Sequence, residues 1–469
     1  MKAMPRSSGI ASLAIMLMMI GVMFMFAACG AGDPAETDEN GSPAPTTPDD
    51  ATSTTTPTGD TETDGVVLAM SDLSRTTPAA SPDDILSAAA SMREFGIDMY
   101  EILAQDSGDG NLVFSPASIV TALAMTYAGA QGVTAEEMAA TLHFTLEGDA
   151  LHQAFNSLDA ALESRSWQGK DDQGKDQGVL VKTANSLWGQ QDTVFGQIFL
   201  DTLAANYGAG MRLVDYKSAA EEARQAINDW VAGETEDKIT DLIPEGALDE
   251  LTRLVLVNAV YLDATWATQF DPELTEDGQF TTLTGDPVTA SMMFQSLSFP
   301  YASGEGWQAV ELPYLRDELA MLVIVPEAGR FAEVESRLGA GLIDEAVGQL
   351  ATGPEVNLTM PKFEFRTQAG LNDALTALGM PSAFDPNTAD FSGMTTQEAL
   401  FISDVIHEAY IAVDEEGTEA AAATAVVMRA TAAPMEMVEL TIDRPFMFAL
   451  RDRETGALLF LGRVTDPTA

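Results

Sequence analysis

The chain has 469 residues, 46% of them hydrophobic and 20% charged, which is ample material for a large core once polar tails are set aside. A formal net charge of -49 argues against nucleic acid or a heparin-like polyanion as partner, because either needs a basic face, and it reads instead as a solvated acidic coat on an exported protein. A single cysteine, Cys29, excludes an intrachain disulfide, and His143, His152 and His407 are too scattered in sequence for a zinc site of ordinary spacing.

At the N-terminus Lys2 and Arg6 precede an apolar run from Ile10 to Phe26, the basic start and hydrophobic body of an export signal. The run is short for a spanning helix and ends in Ala27-Ala28-Cys29-Gly30, which resembles a bacterial lipoprotein cleavage site with Cys29 as the lipidated residue. Phe26 stands where such sites usually carry leucine, so ordinary secretion is the alternative. Residues 1–29 are thus expected to be a signal peptide, placing the protein at the cell surface or outside the cell. Residues 30–82, dominated by Thr, Pro, Asp, Glu, Ser and Gly, have too little apolar surface to offset the entropy of ordering and are expected to be a disordered tether. The folded domain is expected over 83–469.

Within that domain, Ser115 can cap and Pro116 can open a helix running through Tyr127, whose only polar members are Ser and Thr; an apolar circumference predicts a helix buried on all sides. Val181 to Trp188 reads as a strand. Ser218-Ala219-Ala220-Glu221 has the pattern of a capping box opening an amphipathic helix through Trp230. Arg253 to Leu262 is a continuous apolar strand, the type covered on both faces, with one amide, Asn258, that must find partners or cost about 1–3 kcal/mol. Leu319–Val325 and Val356–Phe365 read as strands, the second interrupted by Pro361 and so placed at an edge or bulge. A further strand ends at Val413. Arg444–Phe448 and Ala457–Val464 flank the turn Arg453-Glu454-Thr455-Gly456 and predict a hairpin.

Between these last elements lies Asp414 to Val427. On propensity it is an alanine-rich helix capped by Thr418. Read with strand alternation, Thr418, Ala420, Ala422, Thr424 and Val426 fall on one face, all small, with Glu419 on the other and Gly417 where the backbone must swing. Small inward residues, no inward charge and a hinge suit a segment that enters an existing sheet.

This pattern, from Glu416 through Thr424, resembles the reactive-loop hinge of the serpins. Phe114 to Ser118 matches the family's Phe-Ser-Pro-x-Ser start of a central helix, Asp390-Phe391-Ser392-Gly393-Met394 matches another family signature, and the C-terminal hairpin matches a third. The resemblance implies an α+β serpin fold with three β-sheets, about eight or nine helices and an exposed reactive-centre loop. It also implies a monomeric suicide inhibitor of serine proteases, without cofactor. The protease cleaves the loop as substrate, and the freed strand inserts into the main sheet while the acyl-enzyme still holds. By the same resemblance Ser115, Ser118, Asn258 and His407 belong to the region where the sheet opens. Trp266 lies at the point of loop entry, where Asp263-Ala264 replaces the family's lysine-glycine. The family register places the reactive bond at Thr431-Ala432, implying an elastase-like or subtilisin-like target; a slipped register makes Arg429 a trypsin-like bait or Met428 a chymotrypsin-like one. A non-inhibitory serpin acting as a binding or chaperone-like surface protein is the alternative, opposed by the small, uncharged inward set. No Gly-x-Ser-x-Gly elbow suggests a hydrolase.

Overall fold

A computed structural model of the chain describes residues 61–62, 65–170, 174–418 and 437–469. Residues 1–60, with Cys29, and 419–436, with Ala420, Ala422, Thr424, Met428, Arg429, Thr431 and Ala432, lie outside the described residues. The described residues form three sheets and nine α-helices. The main sheet has the order β1 (Thr61–Glu62), β2 (Val66–Ala69), β6 (Met211–Val214), β5 (Asp176–Gln190), β7 (Leu254–Thr265), β16 (Gly417–Thr418), β15 (Asp404–Val413), β14 (Phe363–Gly370), with β4 (Trp167–Lys170) beside β5. A six-stranded sheet runs β10 (Tyr301–Gly304), β11 (Trp307–Pro313), β12 (Leu319–Pro326), β18 (Phe446–Asp452), β19 (Leu458–Val464), β3 (Leu112–Phe114). The third sheet runs β17 (Met437–Thr441), β13 (Glu355–Pro361), β9 (Pro287–Leu297), β8 (Glu276–Thr281).

The helices are α1 (Pro82–Asp106), α2 (Pro116–Tyr127), α3 (Gly132–Thr141), α4 (Gly148–Arg165), α5 (Gln197–Tyr207), α6 (Tyr216–Glu234), α7 (Phe331–Glu335), α8 (Leu342–Gln349) and α9 (Asn372–Leu378). Helix α2 starts where its sequence says it should: the Ser115 hydroxyl accepts from Ser118 N–H, Pro116 occupies the first turn, and Pro116 to Ile119 and Ala122 to Thr126 are buried. Strand β7 shows why a continuous apolar run marks a central strand. Leu254, Leu256, Val260 and Leu262 face the main core, while Val255, Val257 and Ala259 face a second cluster closed by Ile227 and Val231 of α6. Each such valine, leucine or isoleucine side chain withdrawn from water contributes about 1.5–3 kcal/mol.

Four expectations are corrected by the fold. The tether does not extend to residue 82: β2 pairs antiparallel with β6 and buries Val66 and Ala69 in the core, and Arg75 donates to Asn156 Oδ1 (2.7 Å) and Asp159 Oδ2 (2.6 Å) on α4, so residues 66–82 are ordered by a short apolar strand and by polar partners far along the chain. Val356–Phe365 is two strands in different sheets. Pro361 ends β13 opposite Met292, Lys362 turns the chain, and β14 begins at Phe363; β13 is interior, between β17 and β9, with the proline at its last position where a lost donor matters least. Helix α6 is capped by Asp215, whose carboxylate accepts from Ser218 N–H, and its backbone leaves helical geometry at Ala219. Finally, Gly417 is extended rather than turned. A Cβ there would meet the Ala264 carbonyl oxygen at 2.0 Å, so glycine is required by close approach of two backbones.

Candidate functional site: a parted sheet and its wedge

Strands β7 and β15 are parallel neighbours over only part of their length. They pair from Asp404 opposite Val255 to Ala409 opposite Val260. At the other end a different strand lies between them: β16, antiparallel to both, sets Gly417 opposite Thr265 and Thr418 opposite Ala264 on one side, and Thr418 opposite Val413 on the other. The main sheet is therefore parted above Ala409 and Val260, with Gly417 and Thr418 already in the gap.

The wedge is held by groups from four directions. Trp266 N–H donates to Glu416 O (2.9 Å) and its indole N–H to Asp414 O (3.0 Å), while Phe270 N–H donates to Glu415 O (2.8 Å). The Trp266 ring stacks on Tyr314 with centroids 4.5 Å apart, and the Tyr314 hydroxyl meets the Thr418 hydroxyl at 2.6 Å. The Asp414 carboxylate accepts from Glu416 and Gly417 N–H, closing a tight turn. Glu415 pairs with Lys362 (2.7 Å) and Glu416 with Lys175 (2.8 Å), so both carboxylates are buried with a cation beside them. Burial, then the neighbouring Glu236, raises Asp263 to about 6, a cost accepted in the position where the resemblance leads one to expect lysine.

Where β7 and β15 still touch, a buried polar cluster joins them to α2. His407 Nε2 accepts from Ser115 N–H (3.1 Å), which leaves Nδ1 as the protonated nitrogen, donating to Asn258 Oδ1. Asn258 Nδ2 donates to Ser118 Oγ and to Asn185 Oδ1, both at 2.6 Å, and the Ser118 hydroxyl donates to the same Asn185 oxygen (2.6 Å). Burial depresses His407 to about 3, so it is neutral, as this pattern of one donor and one acceptor requires. The structure thus brings Ser115, Ser118, Asn258 and His407 into one network, and gathers Trp266, Glu416, Gly417 and Thr418 about 264–266. Asn185, Tyr314, Lys175 and Lys362 escaped the sequence reading. Asn185 carried the same signal as Asn258, an amide inside a strand; nothing local marks the other three. Among the described residues no cluster could hold a metal ion.

The family model of the serpins, serine protease inhibitors, matches residues 90–467. An uncharacterised serpin-like protein of Thermococcus kodakarensis is 39% identical over 379 residues, covering 80% of this chain and 85% of that relative. The human leukocyte elastase inhibitor is 35% identical over 382 residues, covering 80% and 97% respectively. Among solved structures, Serpin48 of the insect Tenebrio molitor aligns with a TM-score of 0.71 at 26% identity over 81% of this chain and 98% of its own. The native state of the thermophilic serpin tengpin aligns with a TM-score of 0.70 at 26% identity, over 84% and 97%. The chain belongs to the serpin family.

Proposed function

We infer that this protein is a suicide inhibitor of serine proteases that traps the acyl-enzyme by completing the strand begun at β16. The observation carrying this reading is the wedge: Gly417 and Thr418 sit between β7 and β15 in the antiparallel sense a further strand would need. Once the loop beyond Thr418 is cut, its small residues Ala420, Ala422 and Thr424 can follow Thr418 downward, each new backbone pair adding about 1 kcal/mol. To pass, the strand must separate Ala409 from Val260 and then break the His407–Asn258 contact. That requirement is the barrier that keeps the uncut molecule from relaxing. The chain supplies no catalytic group to this scheme; it supplies a folding step withheld until the bond is cut.

The reactive bond in this reading is Thr431-Ala432, favouring an elastase-like or subtilisin-like protease, with Met428 and Arg429 as the slipped-register baits. The relatives named as leukocyte elastase inhibitors support a small-side-chain target. Export by residues 1–29, with Cys29 as a lipid anchor, would hold the inhibitor at the cell surface as a monomer. Mixing the protein with elastase, subtilisin and trypsin tests the proposal. A complex that survives boiling in detergent is expected, with mass spectrometry placing the acyl bond at Thr431; recovery of cleaved fragments alone across the panel counts against inhibition.

A further inference from the structure

Val179, Ala264, Thr418, Val413 and Phe363 stand side by side across the main sheet, one residue each from β5, β7, β16, β15 and β14. A lysine lies just past each end of this row. Lys362 precedes Phe363, and Lys175 belongs to an arm formed by β4 and the first residues of β5, paired from Trp167 opposite Val179 to Lys170 opposite Asp176. The arm runs on past Ala264, where its pairing with β7 stops, and Gly178 N–H donates to the Thr265 hydroxyl (3.2 Å) at the end of β7. The Lys170 ammonium braces it further out through Asp176 (2.6 Å) and Gly174 O (3.3 Å). From there Lys175 reaches across the end of β7 to Glu416 Oε2 (2.8 Å). Glu415 and Glu416 are thus held from opposite sides of the gap, one through Lys362 on the β14 side and the other through Lys175 on the β5 side. The Glu416 carboxylate is 5% exposed, with Asp414, Glu415 and Asp263 near enough to oppose its charge, and Lys175 offsets that cost.

We propose that Lys175 is a positioning residue for strand insertion: by pairing with Glu416 across the end of β7 it keeps Gly417 and Thr418 seated in the parted sheet, so that the cut loop starts from a strand already begun. The proposal rests on the inhibitor reading above. Cleavage sets up a race between insertion, which traps the acyl-enzyme, and water, which releases it. An unseated hinge must re-enter the gap before insertion proceeds, and it loses time in that race. Without Lys175 the Glu416 carboxylate would be a buried charge lacking its partner, and the hinge relieves that cost by leaving the gap. Loss of Lys175 should therefore alter how the acyl-enzyme partitions, not how fast the loop is cut.

Lys175→Met removes the charge and keeps the length of the side chain, and the full chain carries the test. In the uncut protein, hydrogen exchange in the segment with Trp266, whose N–H donates to Glu416 O, is expected to speed up about a hundredfold, read by mass spectrometry. With a protease that the wild type traps, the moles of inhibitor consumed per mole of enzyme should rise about threefold, while the total rate of loop cutting, complex and fragments counted together, stays unchanged. Adding Glu416→Gln, which removes the charge that needs a partner, should return both readings toward wild type, and Lys175→Arg should preserve them. Thr265→Val, which frees the arm from β7 and leaves both charges in place, should shift both readings the same way by a smaller factor, and serves if Lys175→Met fails to fold. Wild-type exchange in these variants, a defect in Lys175→Met that Glu416→Gln does not relieve, or a fall in the moles consumed would each overturn the role of Lys175. Failure of the wild type to trap any protease would instead sink the inhibitor reading, and the exchange measurement would still decide whether Lys175 seats the hinge.

Discussion

Thr418 is 2% exposed, hydrogen-bonded to Tyr314 and flanked by Ala264 and Val413, so the first inward residue of the hinge is already a core residue. A cation there has no partner under the Trp266–Tyr314 stack, and burying it is far more costly than burying the threonine hydroxyl. Thr418→Arg is expected to expel β16 and turn inhibitor into substrate, lowering the yield of covalent complex at least tenfold while the loop is still cleaved; an undiminished yield would show that this face does not enter the sheet. His407 gives a pH signature. Its native value of about 3 lies below the ordinary 6.5, so as pH falls through that interval the unfolded chain takes up a proton that the native state refuses. Native stability should therefore decline on acidification from pH 6.5 toward 3, by at most about 1.4 kcal/mol per pH unit from this group. Asp263 and Asp404, both raised to about 6 mainly by burial, work in the opposite sense, favouring the native state as pH falls. The difference between wild type and His407→Gln isolates the histidine: denaturant midpoints measured from pH 6 to 4 should fall less steeply in the variant, and parallel profiles would remove His407 from the account.

At the scale of elements, the informative contrast is between β15 and β16. The first is a ten-residue strand paired on both edges near its start, the second a two-residue strand that stops where the described residues stop. Extending β16 toward the His407 cluster would convert the open upper part of β7 and β15 into paired edges. Helix α6 bears on this: Ile227 and Val231 lie against the same cluster as Val257 and Ala259, and Arg212 sits over the Trp230 ring, so separating the strands must disturb the helix packed across them. Cleavage within 419–436 by a non-target protease is accordingly expected to raise the thermal midpoint by tens of degrees, read by circular dichroism, because cut chain can occupy the gap. A midpoint that stays put or drops after complete cleavage would falsify the idea of a strand held in reserve.

For the molecule as a whole, the acidic excess of 72 Asp and Glu over 23 Lys and Arg makes each cation scarce, and several are spent at structural joints. Arg165 and Arg451 pair with Asp452 and Glu311 in the six-stranded sheet, while Arg75 ties the N-terminal approach to α4 through Asn156, Asp159 and Glu163. Surface pairs in general contribute little, but Arg75 makes several directed bonds from a partly buried position. Arg75→Ala should lower unfolding stability by about 2 kcal/mol, seen as a reduced denaturant midpoint, whereas a neutral outcome would mean that the β2–β6 pairing alone fastens residues 66–82.

Much of this architecture was legible in the chain because it rests on local chemistry. Ser115 and Pro116 start α2, the unbroken apolar run of β7 announces two covered faces, and Gly456 marks the last hairpin. At Gly417 and Thr418 the strand reading prevailed over the helix that propensity favoured, and the rest of that stretch lies outside the described residues. What the tertiary structure decided are pairings between distant positions: that Gly417 serves a close approach to the Ala264 backbone rather than a turn, that Pro361 divides two sheets, that Arg75 meets α4, and that Asn185 joins Asn258. A side chain's burial and its need for partners can be read from its own chemistry and that of its neighbours in the chain. Which partner meets that need depends on where folding brings a segment a hundred residues away, and no local pattern encodes that distance.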